Sequence, residues 1–323
     1  MLRWVAIAAL LAAGVMAGLG PAQAQKYPSQ PIRMVVPFAA GGGTDVLART
    51  VAQGLAERLG AQVVIDNRPG AGSSTGTDVV AKAAPDGYTL LYTSPAYAIN
   101  PALYKKLPFA QDDLVPVAIV AAAPLVLAMH PSVPANDIKG LIALLKANPK
   151  KYNYATSGNG SIVHMATELF CAMAAVDVVH IPYRGAAPAM NDVLSGQVAF
   201  IFDQVSTAAQ LIDAKKLKGL AVTTLKRSVL LPDVPTMAEV GLVGYEAYTW
   251  SIVLAPRGTP KEIISQLSEA LNVVVQTAET KKRFLELGAE VPDVMSPEQI
   301  AEFVAKETRK WGDLIKAANI TVN

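Results

Sequence analysis

Cysteine is almost absent from this 323-residue chain. Cys171 stands alone, so no intramolecular disulfide can form and stability must come from packing. Its place after Leu169 and Phe170 in a helical pattern reads as a small buried apolar residue rather than a nucleophile. Histidine is nearly as scarce. His130, His164 and His180 do not pair with one another or with the cysteine at metal-ligand spacing, so no metal and no cofactor is expected. Charge is sparse and balanced, with 28 Lys and Arg against 26 Asp and Glu. Dispersed in this way, the charges exclude a nucleic-acid surface.

Signatures of catalysis are missing too. Gly70 to Thr77 lacks the lysine of a phosphate-binding P-loop, the run Gly41-Gly42-Gly43 does not fit dinucleotide spacing, and no G-x-S-x-G nucleophile elbow occurs. Ser161, His164 and Asp203 supply the residue types of a hydrolase triad. A serine and a histidine three residues apart on one helix make that arrangement a poor one, and no enzyme is expected.

What is present begins with a leader. Arg3 gives a positive start, Trp4 to Leu19 is almost uninterruptedly apolar, and Ala22-Gln23-Ala24 offers the small-x-small pattern cleaved on export. Residues 1–24 are therefore expected to be removed, with the mature chain starting near Gln25 in the periplasm. No cysteine follows the run to carry a lipid, and no later stretch approaches the roughly 18 to 20 apolar residues of a membrane span. A soluble mature chain of about 300 residues is expected, enough for two lobes that each bury a core.

Beyond the leader, short β-branched runs alternate with amphipathic segments, the pattern of a sheet covered by helices. Strands are expected at Ile32 to Val36, Val63 to Ile65 and Thr89 to Tyr92, then at Val117 to Val120 and Leu125 to Met129 with a break at Pro124. A second series follows at Tyr152 to Ala155, Val178 to Tyr183, Val198 to Phe202 and Leu220 to Thr223. Trp250 to Leu254 is a further strand, and two helices close the chain. The first runs from about Pro260 to Thr277; the second is capped by Ser296, with Pro297 at its first position and Gln299 completing a capping box.

Two loops draw attention. Pro37-Phe38-Ala39-Ala40-Gly41-Gly42-Gly43-Thr44-Asp45 joins a strand to a helix, and its glycines expose N–H groups at the positive end of the helix dipole. Such a loop can seat a carboxylate or phosphate; equally, it can be a tight turn in which Thr44 or Asp45 only caps the helix. An ionised Asp45 accepts hydrogen bonds and would repel an anion, so its expected part is to order backbone amides. Thr156-Ser157-Gly158-Asn159-Gly160-Ser161 repeats the construction in the second series, and the same two readings apply. His164 follows Ser161 by one helical turn, where a ligand-facing ring competes with a packing role. Asp203, at a strand end, either orients a ligand or caps a helix near Thr207. Arg184 and Arg68 read as structural, and Trp250 either walls a pocket or is simply buried.

At these residues the chain resembles the substrate-binding proteins of tripartite tricarboxylate transporters, the Bug-type periplasmic receptors. The resemblance rests on Pro31 to Phe38 with Gly41 to Asp45, Asn67-Arg68-Pro69-Gly70-Ala71-Gly72, Ala84-Pro85-Asp86-Gly87-Tyr88-Thr89-Leu90, Ser157 to Ser161, His180-Ile181-Pro182-Tyr183-Arg184-Gly185 and Leu231-Pro232-Asp233-Val234-Pro235-Thr236, in that order along the mature chain. It implies a two-lobed α/β periplasmic-binding-protein fold, type II-like, with a mixed sheet covered by helices in each lobe. Lobe 1 would comprise residues 25–123 plus 252–323, and lobe 2 residues 124–251, with the late helices returning to lobe 1.

The cleft between the lobes would capture a small organic carboxylate and present it to membrane transporter subunits, or alternatively to a membrane sensor. Carried over, Phe38, Gly42, Gly43, Thr44 and Asp45 belong to the first-lobe loop and Ser157, Gly160, Ser161 and His164 to the second; Ser94 and Asp203 would meet the distal end of the ligand. A monomer is expected. Ala40 stands where the family often has proline, and Ser73-Ser74 replace a stretch that is commonly glycine-rich. The sequence leaves the identity of the carboxylate open.

Overall fold

The structure, a computed structural model, describes residues 27–183 and 185–321. The expected leader, its cleavage point near Gln25, and Arg184 lie outside the described residues. Among those described, no helix is long and apolar enough to cross a membrane.

The chain opens with β1 (Ile32–Val36), α1 (Gly43–Leu59), β2 (Val63–Asn67), α2 (Ser74–Ala81), β3 (Thr89–Thr93) and α3 (Ala96–Leu103). β1 lies between β2 and β3, parallel to both. The long strand β4 (Leu114–Met129) then carries the chain into a second series: α4 (Ile138–Ala147), β5 (Asn153–Thr156), α5 (Ile162–Ala174), β6 (Val179–Pro182), α6 (Ala186–Leu194), β7 (Phe200–Gln204), α7 (Val205–Asp213) and β8 (Lys218–Val222). β5 lies between β6 and β7, again parallel to both. The return strand β9 (Tyr248–Pro256) leads to α8 (Lys261–Gln276), α9 (Ala278–Glu286) and α10 (Pro297–Ala317).

The strand orders match. One series runs β2-β1-β3-β9, the other β6-β5-β7-β4, and in each the last strand is antiparallel to its neighbour. Strands β4 and β9 pair with each other from Leu114 opposite Pro256 to Pro124 opposite Tyr248. Each therefore serves both series, and the two lobes share this antiparallel pair.

The expected break at Pro124 is corrected: β4 is one continuous strand. Pro124 stands where β4 hands over from β9 to β7, whose pairing begins at Leu125, so its missing N–H falls between two ladders. The closing helices are three, not two. Thr277 adopts an extended conformation, ends α8, and turns its hydroxyl to the Thr280 amide as the cap of α9. The Ser296–Gln299 capping box of α10 is present in full.

Apolar residues of β1 and α1, among them Met34, Val36, Leu47, Val51 and Leu55, bury one face of the first sheet. A larger core begins on its other face and continues through the second lobe. α8 packs on α1, whereas α10 packs on α3 and β4. α10 is tied to β9 by one buried carboxylate, Glu307, which accepts from the indole N–H groups of Trp250 at 3.2 Å and Trp311 at 3.0 Å. Trp250 is thus a sealed core residue. Cys171 is partly buried, and burial pushes its thiol pKa up, in keeping with packing.

Candidate functional site

In both lobes the chain leaves the middle strand, β1 or β5, and enters a helix, while the next two strands lie on opposite sides of it. A crevice outside the carboxyl ends of the strands forms at such a switch point. Both loops singled out in the sequence stand there.

In the first loop Gly41 has φ +82° and Gly42, extended, is the N-cap of α1 with no side chain to cap it. The amides of Gly42, Gly43 and Thr44 have no hydrogen-bond acceptor among the described residues, as the first turn of a helix dictates. Asp45, only 1% exposed, works from behind. Its carboxylate accepts from the Gly41 amide at 2.8 Å, Arg49 Nε at 2.9 Å and Asn67 Nδ2 at 2.9 Å. Asn67 also donates to the Phe38 carbonyl at 3.1 Å. Burial opposes ionisation of Asp45, but the bonds from Arg49, Gly41 and Asn67 outweigh it and hold the pKa below the usual range.

The second loop is pinned differently. Gly158 and Gly160 take φ +130° and +72°, and the Ser161 hydroxyl donates to the Gly158 carbonyl at 2.8 Å while accepting the His164 amide at 3.2 Å. The Gly160 amide donates to His164 Nδ1 at 3.1 Å. The Gly158 amide donates to Thr156 Oγ1 at 3.3 Å, and that hydroxyl lies 2.7 Å from His180 Nε2. The exposed Asn159 amide has no acceptor among the described residues.

The two loops face one cleft of about 350 Å³. Phe38, Thr44, Ser94, Ser157, Gly160 and Ser161 line it together. A smaller chamber of about 140 Å³ adjoins it under the first loop, lined by Gly43 and Thr44 and by Ser251 of β9. No described residue lining either space is charged. An anion here would be met by amides, hydroxyls and carboxamides against an apolar wall of Phe38, Leu103, Tyr104 and Ile162. A larger cavity of about 650 Å³ lies apart, between α1, α8 and α9, among side chains of mixed charge.

Gly42, Asp45, His164 and Asp203 do not line the cleft. Asp203 is 3% exposed and accepts from the Thr207 hydroxyl at 2.7 Å; burial raises its pKa. The N-cap of α7 is Gln204, not Asp203. His164, also buried, belongs to the support of the second loop, and its ring stacks on His180 at 4.1 Å.

Sequence reasoning missed Gln204 and Thr249, which line both the cleft and the chamber. Gln204 was one residue away from being found: β7 runs one residue beyond Asp203, and alternation puts Gln204 on the opposite face. Thr249 Oγ1 is buried without a partner among the described residues, as is expected of a hydroxyl whose partner is a ligand or a water. Asn100 fixes the cleft wall by donating to the Gly72 carbonyl at 2.7 Å, and Ser73 and Ser74 are buried beside it. The lobes also touch. A Cβ at Gly160 would stand 2.1 Å from Leu103 of the first lobe, and one at Gly288 would stand 1.9 Å from Ser206 of the second.

Known proteins are similar in sequence and fold. The family model described as tripartite tricarboxylate transporter family receptor matches residues 47–320. Protein BugT of Bordetella pertussis is 39% identical over 299 residues, covering 92% of this chain and 91% of its own length. The structure of the periplasmic binding protein BugD is similar, with a TM-score of 0.76, 38% identity, and coverage of 91% of this chain and 99% of that one. So is an R. palustris protein solved with adipate, with a TM-score of 0.79, 35% identity, and coverage of 91% and 99%. These are substrate-binding receptors rather than enzymes. The fold is that of a two-lobed periplasmic binding protein, and the chain belongs to the tripartite tricarboxylate transporter receptor family of Bug type.

Proposed function

We propose that this protein captures a small organic carboxylate between its lobes in the periplasm and presents it, as a monomer, to the membrane subunits of a tripartite tricarboxylate-type transporter. The observation that carries this reading is the pair of strand-to-helix loops, one from each lobe, that face a single uncharged cleft with unpaired amides. Helix N-termini and free amides favour an anion without a counter-charge. The adipate held by a relative supports a carboxylate as cargo.

Lobe 1 comprises residues 25–123 and 252–323, lobe 2 residues 124–251. Gly43, Thr44, Ser157 and Asn159 meet the carboxylate, while Ser94, Gln204 and Thr249 meet the remainder of the ligand, and Ser161 caps α5. Asp45 and His164 support the loops, and Asp203 of β7 accepts from Thr207 of α7. Amides on opposite lobes reach one carboxylate only when the cleft is shut, so the ligand selects the closed state by differential contact. The leader directs export.

A thermal-shift screen of mono-, di- and tricarboxylates, followed by calorimetry on each hit, tests the proposal. One-to-one binding without turnover is the expected result. A protein stabilised by no carboxylate, or one that binds equally well after Gly43→Pro and Thr249→Val together, would overturn it. Amino-terminal sequencing of periplasmic protein should give Gln25 or a close neighbour; recovery of Met1 on a membrane-bound product would reject the leader.

A further inference from the structure

No carboxylate among the described residues accepts from an amide of the second-lobe loop. Where the first loop leans on Asp45, this one leans on two imidazoles stacked at 4.1 Å with planes 12° apart. The stack continues to Tyr154, whose ring lies 4.9 Å from His180 at 14°. Each ring reaches a loop amide, His164 Nδ1 directly at Gly160 and His180 through Thr156 at Gly158. Both glycine amides are thus committed, while the amide of Asn159 between them, a residue that lines the cleft, has no acceptor among the described residues.

We infer that the His164–His180 stack is the positioning element of the second-lobe anion loop, and that it holds the loop only while both rings are neutral. The inference rests on the proposed function of the cleft. Its chemistry follows from the hydrogen bonds. Nδ1 of His164 accepts from Gly160, so the ring proton sits on Nε2; a second proton would turn Nδ1 into a donor facing a donor. A charge on either ring would also be pressed against its neighbour.

The surroundings agree. On α5 itself, Glu168 lies 3.8 Å from His164 Nε2 and is the one group that would favour a charged ring, but it already accepts from the Tyr154 hydroxyl of β5. Cys171, further along α5, has its thiol pKa raised. β7, β9 and α10, which also pack on α5, bring no charged group within bonding distance of either ring among the described residues. Burial, and then His180, push the His164 pKa down to about 3; burial pushes that of His180 to about 4.

The test uses ¹⁵N-labelled full-length mature protein without ligand. Imidazole spectra should show His164 as a single Nε2–H tautomer at neutral pH, with both rings titrating well below the ordinary value of about 6.5. The Gly160 amide should be strongly protected from exchange at pH 7.5, and its protection, relative to the intrinsic rate at each pH, should fall as the rings protonate. His164→Leu, which removes the acceptor, should lose Gly160 protection at every pH, whereas His164→Gln, which offers a carbonyl that does not titrate, should restore protection and make it pH-independent. With adipate as probe at pH 7.5, His164→Leu should weaken binding roughly tenfold and His164→Gln by less. Either ring titrating near 6.5, or intact Gly160 protection in folded His164→Leu, would overturn the inference. Should the wild type not bind adipate, that counts against adipate as cargo, and the exchange and titration data still decide the role of the histidines.

Discussion

The two strand-to-helix loops are held in place by opposite protonation chemistry. Both follow the middle strand of a lobe and open a helix, yet the first is anchored by an ionised Asp45 and the second by a neutral histidine stack. The difference follows from what lies behind each loop. Arg49, one helical turn on from Asp45, and Asn67 at the end of β2 make a buried carboxylate tenable in lobe 1. Behind the second loop lie the aromatic rings of Tyr154 and Phe200, and Glu168, the carboxylate nearest the stack, already accepts from the Tyr154 hydroxyl, so neutral imidazole is the acceptor that fits. In both loops some amides are bonded to these anchors while others have no acceptor among the described residues.

Breaking the first anchor should have the largest effect. Asp45→Ala leaves the Gly41 amide without its acceptor, removes one of the two acceptors of the Asn67 carboxamide, and leaves Arg49 with only Asn67 Oδ1 at the loop. The charge left behind, on Arg49, is about half exposed and can be solvated, so the expected cost is that of lost hydrogen bonds to a charged acceptor, about 1.5 to 3 kcal/mol. Urea unfolding measures it, and a loss under about 1 kcal/mol would mean that the loop does not depend on Asp45.

Acid should separate the two anchors. The Asp45 pKa lies below its ordinary value, so its contribution is whole above about pH 4 and is lost only as pH falls through the depressed value. The histidines behave otherwise. Their folded pKa values of about 3 and 4 lie below the ordinary 6.5, so the unfolded chain binds more protons across that window and stability falls with pH from about 6.5 downward. Between pH 6.5 and 4.5 only the second anchor should weaken, by at most on the order of 2 kcal/mol for each ring. Denaturation curves across this range should show the slope in wild type and in Asp45→Asn, and a flatter line in His164→Gln. An unchanged slope in His164→Gln would place the titrating group elsewhere.

Gly43→Pro sharpens the comparison from the ligand's side. Gly43 is the first residue of α1 and Gly42 before it is extended, so proline fits the backbone there and deletes only an N–H. Stability should hold while affinity for the identified carboxylate drops roughly tenfold, the cost of one hydrogen bond to a charged group. Calorimetry that finds affinity unchanged would take the first loop out of the site.

How much of this could be read in advance differs by region. The loops and their flanking strands were legible because glycine runs between a β-branched strand and a capped helix leave few alternatives. The Ser296–Gln299 cap was legible for a similar local reason. α3 was not, since Pro101 sits inside it, nor was α9, which follows α8 without a glycine between them. The continuity of β4 through Pro124 depends on which strand lies alongside at each residue, a long-range fact with no local signature. Gln204 and Thr249 escaped for the same reason. Each is an ordinary strand residue until the facing lobe turns its position into a cleft wall.

The smallest effect tests the one position where the loops differ in kind of cap. The N-cap of α1 is Gly42, with no side chain, while that of α5 is Ser161, whose hydroxyl is committed twice, to the Gly158 carbonyl and the His164 amide. Ser161→Ala should therefore cost about 1 kcal/mol, or about 2 to 4 °C in Tm, whereas Ser161→Gly should cost only a few tenths. Because the hydroxyl donates within the loop, its removal should leave ligand affinity within about threefold of wild type, less than the loss of a charged hydrogen bond. A tenfold drop in Ser161→Ala, with the melting temperature shifted only as stated, would show that the serine leaves its cap for the carboxylate when the lobes shut. The second loop would then rearrange on binding, while the first, held by Asp45, is already in place.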